Sequence, residues 1–228
     1  MAIAREVPDP MPDQHEADVA GSAAWWAARA ARTARRRPRA DGLTIERIVD
    51  AAVPLVDAEG LGALTVRRLA DDLGTGSASL YRHVASRDEL IVLMVDRVIG
   101  EVVLPEPELP GRERVEQLAH ELRRVLLDHA QLLPALTAAP LLGPRAVEGS
   151  GVGLESMLAA GYPPRVAVPA VLALIDFVLG TVYFDTSSAG RSFAASRELG
   201  GSAPDVPSAD DVFEFGLQTF LAGLEHRS

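Results

Sequence analysis

TIERIVDAAVPLVDAEGLGALTVRRLADDLGTGSASLYRHVASRDEL, residues 44–90, reads as three short helices and the start of a fourth, with a helix-turn-helix in the middle. Thr44 is placed to cap a first helix whose apolar face is Ile45, Ile48, Val49, Ala52 and Val56, with Gly60 as its left-handed C-terminal residue. Pro54 lies inside that helix and removes the hydrogen bond to the Asp50 carbonyl, which predicts a local kink. Thr65 caps the second helix, buried through Val66, Leu69, Ala70 and Leu73 at i, i+3, i+4 and i+7, and Gly74 ends it. Ser77 then caps a third helix in which Leu80 and Val84 face inward while Ser79, Tyr81, Arg82 and His83 stay outside. Ser86 caps a fourth, with Asp88 and Glu89 favourable to its dipole and Leu90, Ile91, Met94 and Val98 on one face. It is expected to run to about Val103, before Pro105.

Outward from this core the helical period continues. Prolines 105, 107 and 110 mark a boundary, and beyond them helices are expected at 112–129, 131–137, 144–160, 164–188 and 209–226. Nothing alternates apolar and polar residues well enough to argue for a sheet, so the fold class is all-α. Toward the N-terminus, residues 1–20 are rich in Pro and Asp and are expected to be disordered. Ala23 to Arg37 turns to Ala, Trp and Arg, which helices tolerate well.

The 228 residues, 48% of them hydrophobic, are ample for a buried core. The net charge of −10 argues against general coating of nucleic acid, but the average hides one basic segment. Residues 29–39 carry six Arg and no acid, while the first 28 residues carry one Arg against five acids. The segment has three readings: a solubilising tail, a helix that packs by Trp25 and Trp26, or an arm in which Arg35, Arg36, Arg37 and Arg39 reach phosphates or a minor groove. With no Cys, disulfides, thiolate metal sites and cysteine nucleophiles are excluded. The N-terminus has acids and prolines where an export signal needs a cationic start and an apolar run, so a cytoplasmic protein is expected. Val166 to Phe184 is long enough to span a bilayer, but Asp176 sits at its middle and Pro169 near its start, so no membrane is expected as a partner.

A reading helix sets short polar side chains against base edges while its neighbours grip phosphate. Ser77, Ala78, Ser79 and Arg82 lie on the candidate groove-facing helix, and Arg82 suits guanine best because its fork matches O6 and N7. Tyr81, His83, Arg87 and Arg67 suit the DNA backbone, and the Thr65 hydroxyl could cap, touch phosphate, or do both. Singly these are ordinary surface residues; caps, turn and exposed face together point to double-stranded DNA.

Leu73-Gly74, Ser79-Leu80-Tyr81-Arg82-His83-Val84 and Arg87-Asp88-Glu89-Leu90 resemble the TetR family of bacterial repressors. Glu59 to Thr65 and Arg67-Arg68-Leu69-Ala70 resemble its tetracycline-repressor branch in particular, and Leu126-Leu127-Asp128-His129 resembles a segment of that branch's regulatory domain. The resemblance implies a homodimer whose N-terminal domains enter successive major grooves of a near-palindromic operator. C-terminal helices would form a small-molecule pocket and a four-helix interface from 164–188 and 209–226. There the stripes Val171, Ile175, Val178, Val182 and Phe213, Leu217, Phe220, Leu224 are the expected contacts, or else the internal core of a monomer. The chain thus divides into an Arg-rich extension, flexible and in part helical (1–40), a helix-turn-helix DNA-binding domain (41–104), and a ligand-binding and dimerisation domain (105–228).

Departures from the branch matter as much. Alignment on the Leu-Leu-x-His segment puts Leu118 and Leu136 where tetracycline repressors carry a pocket Asn and a metal-associated His, so a magnesium-chelated tetracycline is not the expected effector. A more apolar pocket lined by Leu118, Leu122, Leu136, Met157, Phe177 and Tyr183 is expected, with Asp176 either a pocket hydrogen-bonding group or a polar interface residue. Gly149-Ser150-Gly151-Val152-Gly153 lacks the strand and Lys of a phosphate loop and reads as a flexible connection. His120 and His129 lie nine residues apart with no carboxylate pair to complete a set, so neither metal nor cofactor is expected. The expected function is a ligand-responsive DNA-binding regulator that releases its operator when an effector binds. The competing readings are a DNA-binding protein without an effector, and a helical enzyme with an appended DNA-binding domain, for which no nucleophile-base pair or cofactor loop appears.

Overall fold

The computed structural model describes residues 19–34, 43–138, 142–187 and 207–225. Among these, ten α-helices form without a strand: α1 Ala23–Ala34, α2 Ile45–Glu59, α3 Val66–Asp72, α4 Ser77–Leu80, α5 Arg87–Ile99, α6 Gly111–Asp128, α7 Leu133–Ala138, α8 Pro144–Ala159, α9 Pro164–Thr186 and α10 Ala209–Glu225. Single 3-10 turns, Leu61–Ala63 and Ala130–Leu132, lead into α3 and α7.

The N-terminal bundle follows its caps. Thr44, Thr65 and Ser86 each sit in extended backbone and accept a hydrogen bond from the N–H three residues on, satisfying a donor the helix leaves unpaired. Ile48, Val49, Ala52, Val53 and Val56 of α2 are buried, chiefly against α5. Gly74, at φ +63, turns the chain from α3 into α4. Three local expectations are corrected. Gly60 has φ 80 and ψ 167, an extended glycine conformation rather than the left-handed helical one, and it sends the chain into the 3-10 turn. Ser77 is the first residue of α4, not its cap; Gly76 holds that place with no side-chain bond, so the α4 entry is fastened only by the backbone. The fourth helix ends at Ile99, and Glu101 and Val102 continue as a turn bonded to the Val98 and Ile99 carbonyls.

The Arg-rich extension is helical from Ala23 to Ala34 and packed on the bundle. Trp25 is buried, Arg29 lies 5.5 Å over its ring, and the Arg29 Nη1 donates to Glu89 Oε1 at 2.7 Å. Glu89 Oε2 accepts the Ala85 N–H at 2.7 Å, so one buried carboxylate ties α1 to the start of α5. Arg35, Arg36, Arg37 and Arg39 lie outside the described residues, as do residues 1–18.

In the C-terminal bundle α9 lies at the centre, packed on α6, α8 and α10. It is long and apolar enough to cross a membrane, with mean hydropathy 2.1, and here it packs against these three neighbours. The glycine run 149–153 is not a loop but the middle of α8. Glycine costs a helix about 1 kcal/mol per residue, and burial of Ala146, Gly153, Ser156 and Met157 on one side offsets it. The stripes expected at a dimer interface are also corrected. Val171, Val178 and Val182 with Phe213, Leu217 and Leu224 are buried within the single chain, and Ile175 and Phe220 pack against the same core. The uncovered apolar face of these helices carries instead Val168, Leu172 and Phe184 on α9 and Val212 and Phe215 on α10, with Phe215 75% exposed.

Candidate DNA-reading face and effector cavity

The outer surface of α3 and α4 carries the predicted reader. Thr65, Arg67, Ala78, Tyr81 and Arg82 are exposed, Ser77, Ser79 and His83 half-buried, and Leu80 and Val84 are the buried anchors that hold the turn to the bundle. After one α-turn the backbone tightens, with Arg82 N–H bonding to Ser79 O and His83 N–H to Leu80 O. That tightening turns Tyr81 and Arg82 outward together. Arg82 Nη2 donates to Ser79 Oγ at 2.9 Å, which folds the guanidinium along the face.

Charge is distributed unevenly over this surface. Arg68 is held by Glu59 at 3.0 Å and Asp72 at 3.3 Å, and the pull of Glu59 first and Asp72 second raises its pKa above the ordinary arginine value. Arg67 and Arg82 have no ion pair among the described residues and remain open to an anion. The acidic net charge is therefore no obstacle at this place. Arg87 departs from the expectation: its Nε donates to Leu64 O at 3.1 Å and its Nη2 to Leu61 O at 2.6 Å. Those carbonyls belong to the 3-10 segment between α2 and α3, so Arg87 positions the entry to α3. The sequence held no sign of this, because the contact closes over more than 20 residues of chain.

Behind the bundle, α5 to α9 enclose a cavity of about 880 Å³. Leu118, Leu122, Leu136, Met157, Asp176 and Tyr183 lie on its wall as expected. Phe177 does not. It stacks on Phe213 with ring centres 5.6 Å apart, and its ring fills the space beside Gly216, since α9 turns consecutive residues 176 and 177 to different sides. Gly149, Ser150 and Gly153 also line the cavity; at Gly149 a Cβ would meet nothing within 4 Å, while at Gly153 Leu118 and Val171 pack close against the backbone. Helical period marks apolar residues, so the sequence pattern had no means of showing a wall formed in part by glycine. Thr137, Arg145 and Glu148 add polar groups; Thr137 Oγ1 already donates to Leu133 O, and Arg145 pairs with Glu148 at 3.1 Å. Asp176 is exposed at the rim and has no hydrogen bond or ion pair among the described residues.

The cavity and the reading face share one helix. Ile99 and Gly100, at the end of α5, touch the cavity, and Ser86 to Glu89, at its start, follow the reader directly. Asp96 of α5 accepts the Arg145 N–H at 3.0 Å and so caps α8 from outside, where Gly143 offers no side chain. Burial pushes the Asp96 carboxyl above its ordinary range, opposed by the backbone bond and charge of Arg145.

Residues 48–94 match the sequence profile of the bacterial regulatory proteins of the tetR family, and residues 104–228 that of the tetracyclin repressor-like C-terminal domain. An HTH-type transcriptional regulator of Saccharopolyspora erythraea is 34% identical over 199 residues, 80% of this chain and 84% of its own. The HTH-type transcriptional repressor DrrR1 of Streptomyces coeruleorubidus is 33% identical over 80% of this chain and 77% of its own. Among solved structures, the Streptomyces coelicolor TetR family protein ActR in complex with actinorhodin superposes with a TM-score of 0.73 at 33% identity, covering 82% of this chain and 97% of that one. With a profile match over more than half its length and relatives at this identity, the chain belongs to the TetR family of bacterial transcriptional regulators.

Proposed function

We propose that the chain is a cytoplasmic repressor that binds a near-palindromic operator as a homodimer and leaves it when a large, mostly apolar small molecule enters the C-terminal cavity. The carrying observation is that α5 joins the two: its first turn follows the reading helix and its last turn walls the cavity. A ligand that displaces the end of α5 shifts the head that α5 carries, and so the spacing between two recognition helices. In this reading the head is residues 41–104 and the ligand-binding and dimerisation part 105–228. Ala78, Ser79 and Arg82 read bases, while Thr65, Arg67, Ser77, Tyr81 and His83 contact or adjoin phosphate. Arg35, Arg36, Arg37 and Arg39 extend the phosphate grip from the stretch between α1 and α2.

The dimer is supported by the uncovered face of Val168, Leu172, Phe184, Val212 and Phe215, an apolar surface that a monomer leaves in water. A volume of about 880 Å³ suits a large ligand. Leu118 and Leu136 on its wall favour apolar effectors over metal chelates. Likeness to ActR, solved with actinorhodin, supports an effector in that size class.

The test is a footprint on the DNA upstream of the chain's own coding sequence, repeated with polycyclic hydrophobic compounds. A protected palindrome released by one of them is expected. Absence of any protected palindrome would overturn the repressor reading, and protection that no such compound relieves would overturn the effector.

A further inference from the structure

His129 ends α6 and is buried, and both of its ring nitrogens face carboxylates from the other side of the molecule. Nδ1 lies 2.9 Å from Asp57 Oδ2 on α2, and Nε2 lies 3.0 Å from Glu101 Oε2 just beyond α5. Asp57 belongs to the N-terminal bundle, so the ring joins that bundle to the C-terminal one. A neutral imidazole has one N–H and one lone pair, and can donate to only one of the two carboxylates; the other would meet a lone pair. Two donated bonds require the imidazolium. We infer that His129 is a protonation-dependent clasp that fixes the DNA-reading head on the regulatory bundle.

The surroundings reinforce the charge requirement. Asp57 Oδ1 is buried without a hydrogen bond among the described residues, so Asp57 meets the ring with its other oxygen alone. Glu101 also pairs through Oε1 with Arg97 at 2.8 Å, and Arg97 reaches Asp50 of α2 at 3.0 Å. From its own helix, Arg124 donates to Glu101 O at 3.1 Å and pairs with Asp128 at 3.0 Å and Glu121 at 2.9 Å. Gln131, in the turn that follows, approaches Gly60 and is neutral. Two carboxylates therefore face the ring; Arg97 shares Glu101 with it through the other oxygen, while Arg124 is turned to Glu121, Asp128 and the Glu101 carbonyl.

The sign follows from donor count. Both bonds stand while the ring carries two protons, and one is lost as pH rises and the ring sheds a proton. A clasped head is preorganised for two operator half-sites, while a loosened one must be ordered on binding. Rising pH should therefore weaken operator binding without any effector. This readout rests on the operator reading above, whereas the stability and ring-proton readouts below do not.

Asp57→Asn is the diagnostic change, because its amide can donate to the lone pair of a neutral ring and keep both contacts at high pH. The full chain and its Asp57→Asn and His129→Ala variants would be compared between about pH 6 and pH 8.5. Urea unfolding, operator affinity and the ring N–H signals by NMR would be read for each. The unsubstituted chain should lose about threefold or more in operator affinity with rising pH beyond the change in Asp57→Asn. His129→Ala should be weak at both ends. Two ring N–H signals for His129 at the acid end, falling to one, are expected in the unsubstituted chain. Parallel pH profiles of stability and affinity in the chain and Asp57→Asn, or a single ring N–H at the acid end, would overturn the clasp. If no operator binds at any pH, the repressor reading fails, and the stability and ring-proton profiles still decide the clasp.

Discussion

Breaking the Arg29–Glu89 pair should detach the N-terminal helix, and the size of the effect can be worked from its surroundings. The two side chains are 15% and 9% exposed and 2.7 Å apart, so this is a largely desolvated, charge-assisted contact rather than a surface pair. Hydrogen bonds to charged groups contribute about 1.5–3 kcal/mol. Glu89 has two further duties, accepting the Ala85 N–H through Oε2 and donating its own N–H to Ser86 Oγ. Glu89→Ala should therefore cost more than Arg29→Ala, since it also takes the acceptor from the Ala85 N–H, about 1 kcal/mol more, while the backbone N–H that Ser86 caps remains. Arg29→Ala leaves Glu89 one partner and should cost about 2 kcal/mol, part of it the lost packing over Trp25. A double-mutant cycle by urea unfolding, followed through Trp25 and Trp26 fluorescence, should return a coupling of about 1.5 kcal/mol or more. A coupling under about 0.5 kcal/mol would mean that the pair is no stronger than a solvated one and that α1 is held by its apolar packing, Trp25 foremost.

Arg82→Ala should relax base preference by about 1–3 kcal/mol at one operator position, while Arg67→Ala weakens all sequences about equally, as gel-shift titrations on substituted operators would read. Gly149→Phe should fill the cavity, because a Cβ there meets nothing within 4 Å, and abolish effector response in the footprint while operator protection persists. Phe215→Asp should shift the protein toward monomer in light scattering and lower operator affinity, since a half-site alone forfeits the second head. Gly111→Ala should destabilise by about 1–3 kcal/mol in thermal melts, because its Cβ would stand 2.3 Å from the Ala160 backbone nitrogen.

The helices were legible where one residue type carried the signal by itself. Thr44, Thr65 and Ser86 act as the expected caps, and the C-terminal helices begin and end within a residue or two of their expected bounds. Gly149 to Gly153 misled because glycine is a loop signal only where nothing packs against it. The bonds of Arg87 to the Leu61 and Leu64 carbonyls were not legible, because a cation beside a helix-turn-helix carries no local mark of a carbonyl more than 20 residues away.

Local sequence by itself determined the caps at Thr44, Thr65 and Ser86, the turn at Gly74, the polar outer face of α4 and the all-α class, since each depends on residues within a few positions of one another. Only the tertiary structure decided which apolar stripe of α9 and α10 is core and which is left uncovered, because a helix between two partners has two apolar faces and its period does not rank them. It also decided that Phe177 leaves the cavity wall, and that His129 meets Asp57 across 72 residues. Such pairings depend on how packed helices are rotated and offset, which their sequences constrain only jointly.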